Sequence, residues 1–113
     1  HVNNSIGGMG LNGGLQDADN LARKLADVIT EGASDTLMDL YSLQRRTVCI
    51  EFVQEQSIAN KKRLEARDPE TRRQNLDELT RIAEDPVKAR GFMQRAAMLT
   101  MQSRAASITL DNA

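Results

Sequence analysis

Five of the seven glycines fall between Gly7 and Gly14, and this stretch runs directly into helix-forming sequence. Glycines expose backbone amides and leave room for a ligand to touch the main chain. At a helix N-terminus they form an anion cradle. The first N–H groups there lack intrahelical partners, and the helix dipole adds partial positive charge. The plainer alternative is a flexible linker ahead of a helix.

Periodicity decides the fold class. Leu15, Ala18, Leu21, Ala22, Leu25, Ala26 and Ile29 recur at three- and four-residue spacing and form one apolar stripe. They predict a helix from about 12–15 to Ile29, closed by a left-handed cap at Gly32. A second, long helix is expected after Ser34 or Asp35, with Leu37, Leu40, Tyr41, Val48, Phe52 and Val53 on its buried side, continuing as far as Glu65. Two Asp-Pro pairs, Asp68-Pro69 and Asp85-Pro86, mark further helix starts: Asp caps free amides and Pro suits the first helical position. The third helix carries Leu76, Leu79, Ile82 and Ala83; the fourth carries Ala89, Phe92, Met93, Ala96, Ala97 and Thr100. No segment alternates with period two, so the fold class is all-α: a Gly-rich loop over residues 1–14 and about four helices over residues 15–113.

Composition narrows the function. Fifteen Lys and Arg balance sixteen Asp and Glu, for a net charge of -1, so no bulk attraction to nucleic acid or an anionic membrane is expected. The longest apolar runs are too short to span a bilayer. A lone Cys49 excludes an internal disulfide and fits a reducing, cytoplasmic setting. Only three aromatic residues are present, Tyr41, Phe52 and Phe92, few for a self-sufficient core. The chain opens on His1 rather than Met, which fits the C-terminal piece of something longer.

Three versions of the glycine motif can be weighed. Gly8-x-Gly10-x-x-Gly13 matches the dinucleotide fingerprint formally, but that fingerprint needs a hydrophobic strand just before it, and residues 1–6 are too few and too polar. A phosphate-binding P-loop needs Gly-Lys-Ser/Thr, and Gly13-Gly14-Leu15 stands there instead. The third version fits. His1-x-x-x-Ser5-x-Gly7-Gly8-x-Gly10-x-Asn12-x-Gly14-x-x-Asp17-Ala18-x-Asn20-Leu21-x-x-Lys24-Leu25 resembles the second flavin motif of the class A FAD-dependent monooxygenases, the para-hydroxybenzoate hydroxylase fold. The likeness covers about 25 residues, and its Gly, Asn, Asp-Ala and Asn-Leu positions all agree. The family's usual Pro falls at Ser5, and its preceding Gly-Asp pair lies outside this sequence.

The resemblance implies the C-terminal part of a larger α/β FAD-binding enzyme that hydroxylates an aromatic or related small molecule with NAD(P)H and oxygen. It implies that Gly7, Gly8, Met9, Gly10, Leu11 and Asn12 contact FAD and that Ser5 lies near the substrate. The backbone amides and helix end would stabilise negative charge on reduced flavin without reorganising. Asp17 and Asn20 are expected to fix the loop and helix rather than touch flavin. No residue here is expected to be catalytic or to bind metal. His1 helps the loop turn, Cys49 is a small buried hydrophobe, and Arg45-Arg46 and Lys61-Lys62-Arg63 are solvated faces. Met93, Met98 and Met101 share no single stripe and are expected to face a missing domain or a partner. The isolated chain is expected to bind FAD weakly or not at all and to turn nothing over. The alternative function is a helical interaction module that forms homo-oligomers through exposed helical surfaces.

Overall fold

The computed structural model describes residues 5–112, apart from the side chain of Asn112. The reading of His1 falls outside the described residues. These are helical almost throughout, and no strand occurs among them. The elements are α1 (Met9–Glu31), α2 (Thr36–Val48), a π-helical segment (Cys49–Gln54), α3 (Glu55–Glu65), α4 (Pro69–Glu84), α5 (Pro86–Ala96), α6 (Leu99–Ala106) and a 3₁₀ turn (Leu110–Asn112).

The shape is elongated, 59 × 29 × 22 Å, with a radius of gyration of 17.4 Å. A compact chain of this length would have about 13 Å. The reason is a small core. It consists of Met9, Val48, Cys49, Val53, Met98, Met101, Ala105 and Ile108, with Leu43 and Phe52 packed against it. The α2 helix is the hub, touching α1, the π segment and α6. Neither α4 nor α5 buries any residue, and the two pack on each other as an arm.

Four differences from the sequence expectations have physical reasons. First, α1 starts at Met9, so the glycine-rich loop ends at Gly8 and Gly10, Gly13 and Gly14 are helical. Glycine costs only about 1 kcal/mol in a helix interior, and Met9 repays that by entering the core. The loop over residues 1–14 is corrected accordingly.

Second, the long second helix does reach Glu65, but through a π-helical turn. The buried positions Arg45, Cys49, Val53 and Ser57 are spaced strictly by four. In a straight α-helix a four-residue step drifts by about 40°. A wider π turn cancels part of that drift and keeps one face on the core.

Third, the fourth helix stops at Ala96, and Met98 adopts a left-handed conformation with φ 61° before α6 begins. Met98 and Met101 are thereby turned into the core, rather than toward a missing domain or a partner; Met93 alone of the three stays exposed, at 66%. A left-handed non-glycine residue costs about 1–2 kcal/mol, less than burying a methionine side chain returns.

Fourth, most of the apolar stripe of α1 faces outward, with Leu21 alone of it half-buried. The opposite face, with Met9, Gly13 and Asp17, packs on the rest of the molecule.

The caps follow their residues. Gly32 has φ 66°, and the N–H groups of Gly32 and Ala33 both donate to the Asp27 carbonyl. The Asp68 carboxylate accepts from the backbone N–H and the hydroxyl of Thr71, at 3.0 and 2.9 Å. Asp85 accepts from the N–H groups of Val87 and Lys88. The Thr71 hydrogen bonds hold the Asp68 carboxyl below its ordinary value. A depressed folded value means that this cap stabilises α4 above the ordinary carboxylate range and is lost as pH falls through the folded value. The protection of the Thr71 amide, its exchange rate relative to the free-chain rate at the same pH, should therefore fall on acidification, and Asp68→Ala should abolish that dependence. An amide whose exchange tracks pH identically in both proteins would refute it.

Candidate functional site

The glycine segment is a tight turn followed by a bare helix start. The Gly8 amide donates to the Ser5 carbonyl at 3.2 Å, and Gly7 between them has φ 95°. A positive φ at the third position is what a type II turn requires, and glycine supplies it without steric cost. A Cβ on Gly7 would stand 2.8 Å from Asn60 Nδ2, so α3 closes in on this turn from behind. Gly8 then caps α1 in the left-handed region, with φ 67°.

The start of α1 carries no side-chain cap and no acidic residue in its first turn. Its leading amides lie at a positive dipole end, with no capping side chain and no first-turn carboxylate among the described residues. Cβ atoms built on Gly8, Gly10 and Gly14 meet nothing within 4 Å. Leu11 and Asn12 are exposed, whereas the Met9 side chain lies in the core and leaves only its backbone available. Gly7 to Asn12 thus form the turn and the first helical turn of α1, with the Gly8 N–H already engaged by Ser5, and Ser5 sits exposed beside them.

A partly buried polar network joins α1 and α2. Arg45 Nε donates to Asp17 Oδ1 at 2.6 Å, and the Arg45 side chain is only 3% exposed. Asn20 Nδ2 donates to Gln44 Oε1 at 3.1 Å, and Lys24 Nζ donates to Asn20 Oδ1 and Gln44 Oε1 at 2.6 and 2.8 Å. Gln44 Nε2 donates to the Ile108 carbonyl at 2.9 Å, tying in the C-terminal end. Partial burial lowers the Lys24 ammonium from its ordinary value, Asp27 opposes this, and Arg45 adds to it.

Asp17 and Asn20 therefore anchor α1 to α2, as the sequence reading held. Arg45 is no solvated-face residue: it is buried against Asp17 because two helices meet there, and only Arg46 of the pair is exposed. The roles of Gln44 and Arg45 were missed. The available signal was their place among the apolar positions of α2, one turn before Val48 and Cys49. Cys49 is buried, and desolvation, reinforced by Asp17, pushes its thiol up, which suits packing rather than nucleophilic chemistry. No group of three or more potential metal-ligating side chains occurs among the described residues. No helix among them is long and apolar enough to cross a membrane.

Residues 1–56 match the family described as FAD binding domain. The chain is 43% identical over 72 residues to para-nitrophenol 4-monooxygenase of Pseudomonas sp. (strain WBC-3), covering 64% of this chain and 18% of that protein. It is 42% identical over 73 residues to tetracenomycin B2 monooxygenase-dioxygenase of Streptomyces olivaceus, covering 65% of this chain and 14% of that protein. It is 38% identical over 69 residues to 6-hydroxy-3-succinoylpyridine 3-monooxygenase HspB of Pseudomonas putida (strain DSM 28022 / S16), covering 61% and 18%. The chain spans less than a fifth of the length of these relatives. No solved structure matches it.

Proposed function

We propose that this chain, whose residues 1–56 are related to the FAD binding domain of flavin-dependent monooxygenases, supplies one wall of a flavin site in an aromatic-ring hydroxylase. The observation that carries the reading is the uncapped, acid-free start of α1 behind the open glycines Gly8 and Gly10. Gly7, Gly8, Met9, Gly10, Leu11 and Asn12 hold FAD through backbone atoms, and Ser5 lies toward the substrate. Bound FAD supplies hydride acceptance and oxygen activation, with NAD(P)H as the reductant and an aromatic or related small molecule as the substrate.

This chain's own residues do three things. The leading amides of α1 present donors and a positive dipole end to the electron-rich edge of the cofactor. The Gly7 turn, backed by Asn60, sets the path of the chain into that helix. The Asp17–Arg45 pair fixes α1 on α2, so the donors do not have to reorganise. Such an enzyme works where NAD(P)H is abundant, in the cytoplasm, and this segment acts as the C-terminal part of it.

Flavin titration followed by fluorescence tests the reading, using the native chain and Gly10→Glu. Position 10 has open space around it, and glutamate is a better helix former than glycine, so the variant folds. A carboxylate at the positive helix end opposes an electron-rich ligand by about 1.4 kcal/mol, or tenfold. The native chain should bind FAD weakly at best, and Gly10→Glu should weaken any binding measured by tenfold or more. Equal measurable affinity in the two proteins would overturn the assignment.

A further inference from the structure

The aromatic residues of the chain are Tyr41, Phe52 and Phe92, and two of these three line one cleft. The cleft lies between the π segment and α3 on one side and α5 on the other. Its volume is about 400 Å³, within the range of sites that hold small molecules. Phe52 reaches it from the π segment and Phe92 from α5. Ala59 and Arg63, one turn apart on α3, and Arg95, on the same helix as Phe92, complete the wall.

Both arginines keep their hydrogen-bond donors for a ligand. The Arg95 guanidinium stands 5.6 Å from the centroid of the Phe52 ring. That contact holds the cation over the cleft without engaging an N–H group on an oxygen acceptor. Arg63 is half-buried, and no carboxylate among the described residues lies within ion-pair distance of either arginine. Glu51, at the same cleft, is already held by Arg104 through two hydrogen bonds of 3.0 and 3.1 Å. Glu55 is the other carboxylate of the lining. With Glu51 and Arg104 neutralising each other, Arg63 and Arg95 against Glu55 leave one positive charge in excess.

We propose that this cleft binds a small aromatic carboxylate. Its ring packs on Phe92 and Ala59, and its carboxylate accepts N–H groups of Arg63 and Arg95. Each part of the ligand answers a feature of the wall. A guanidinium fork matches the two oxygens of a carboxylate. An aromatic ring covers Phe92, which is otherwise 37% exposed. The single excess positive charge matches a monoanion, whereas a dianion would bring a second negative charge toward Glu55. The proposal does not rest on the flavin reading: none of the residues from Gly7 to Asn12 lines this cleft.

Titration of the native chain with benzoate near neutral pH, followed by NMR of the backbone amides, tests it. Benzamide, with the same ring and no charge, is the control. Benzoate should bind saturably with a dissociation constant of roughly millimolar size, as suits so small a ligand in an open cleft. The amides of α3 and α5 around Arg63 and Arg95 should shift. Benzamide should bind about tenfold more weakly, because it forgoes the charge-assisted hydrogen bonds. Arg63→Gln and Arg95→Gln should each weaken benzoate by about tenfold for the same reason. Glu55→Gln, which removes the opposing carboxylate, should strengthen it. Glu55 and Arg95 are exposed and Arg63 is half-buried, so unchanged far-ultraviolet circular dichroism verifies that the variants fold. The proposal is overturned by an absence of saturable benzoate binding, by equal affinity for benzamide, or by shifts confined to another face. Affinity unmoved by both arginine substitutions, or weakened by Glu55→Gln, would overturn it as well.

Discussion

Replacing Arg45 by Met is expected to cost about 3–5 kcal/mol of stability, the usual penalty for removing one member of a buried ion pair. Arg45 is 3% exposed and reaches Asp17 at 2.6 Å. Its loss strips a buried carboxylate of the cation that holds it. Small domains have only about 5–15 kcal/mol in total, and the eight-residue apolar core here argues for the lower end. Urea unfolding followed by circular dichroism should show the single variant largely unfolded or near its midpoint without denaturant. The pair Asp17→Leu with Arg45→Met should recover much of the loss, because replacing both charges by apolar groups removes the desolvation cost along with the attraction. The double-mutant cycle then gives a coupling well above 1 kcal/mol. Single variants that each lose less than about 1 kcal/mol would show that the pair does not fix α1 on α2.

Gly7→Val should cost about 2–3 kcal/mol, and Gly7→Ala about 1–2 kcal/mol. The cause is backbone conformation rather than space. Gly7 has φ 95°, which a β-branched residue rarely adopts. The nearest obstacle to a Cβ, Asn60 Nδ2 at 2.8 Å, is the end of a side chain that can swing away. Adding Asn60→Ala to Gly7→Val should therefore restore little. Thermal melts of the three variants decide the matter: full rescue by Asn60→Ala would place the cost in the contact and not in the turn. If the turn sets the approach of the chain to the flavin site, Gly7→Val should also weaken FAD binding more than its modest loss of stability explains.

Local signals in the sequence carried much of the fold. Asp68-Pro69 and Asp85-Pro86 mark the starts of α4 and α5 because capping and a fixed proline φ act within three residues. Gly32 ends α1 for the same local reason. The helix reaching Glu65 was legible from its periodicity, but its π turn was not. That turn answers to burial at four-residue spacing, which concerns what lies across the core. The break at Met98 was equally illegible: methionine does not favour a left-handed backbone, and only the depth of the core on both sides holds it there.

The glycine segment, Asn12, Asp17 and Asn20 were identifiable as a motif because their residue types and spacing are specific, and the FAD binding domain match, over residues 1–56, includes this stretch. That α1 begins as early as Met9 was not identifiable. Helix propensity argues against three glycines in one helix, and the burial of Met9 overrides it.

The sequence by itself determined the all-α class, the helix starts at the Asp-Pro pairs, the cap at Gly32 and the family resemblance of the first helix. Each depends on neighbours a few residues apart. Only the tertiary structure decided which face of α1 turns inward. Hydrophobic periodicity favoured the leucine stripe, yet the buried side is the one bearing Gly13 and Asp17. There a glycine permits close approach, and the carboxylate finds Arg45 28 residues further along the chain. A pattern within one helix records which residues are apolar. Which face is covered depends on the partner that another segment supplies.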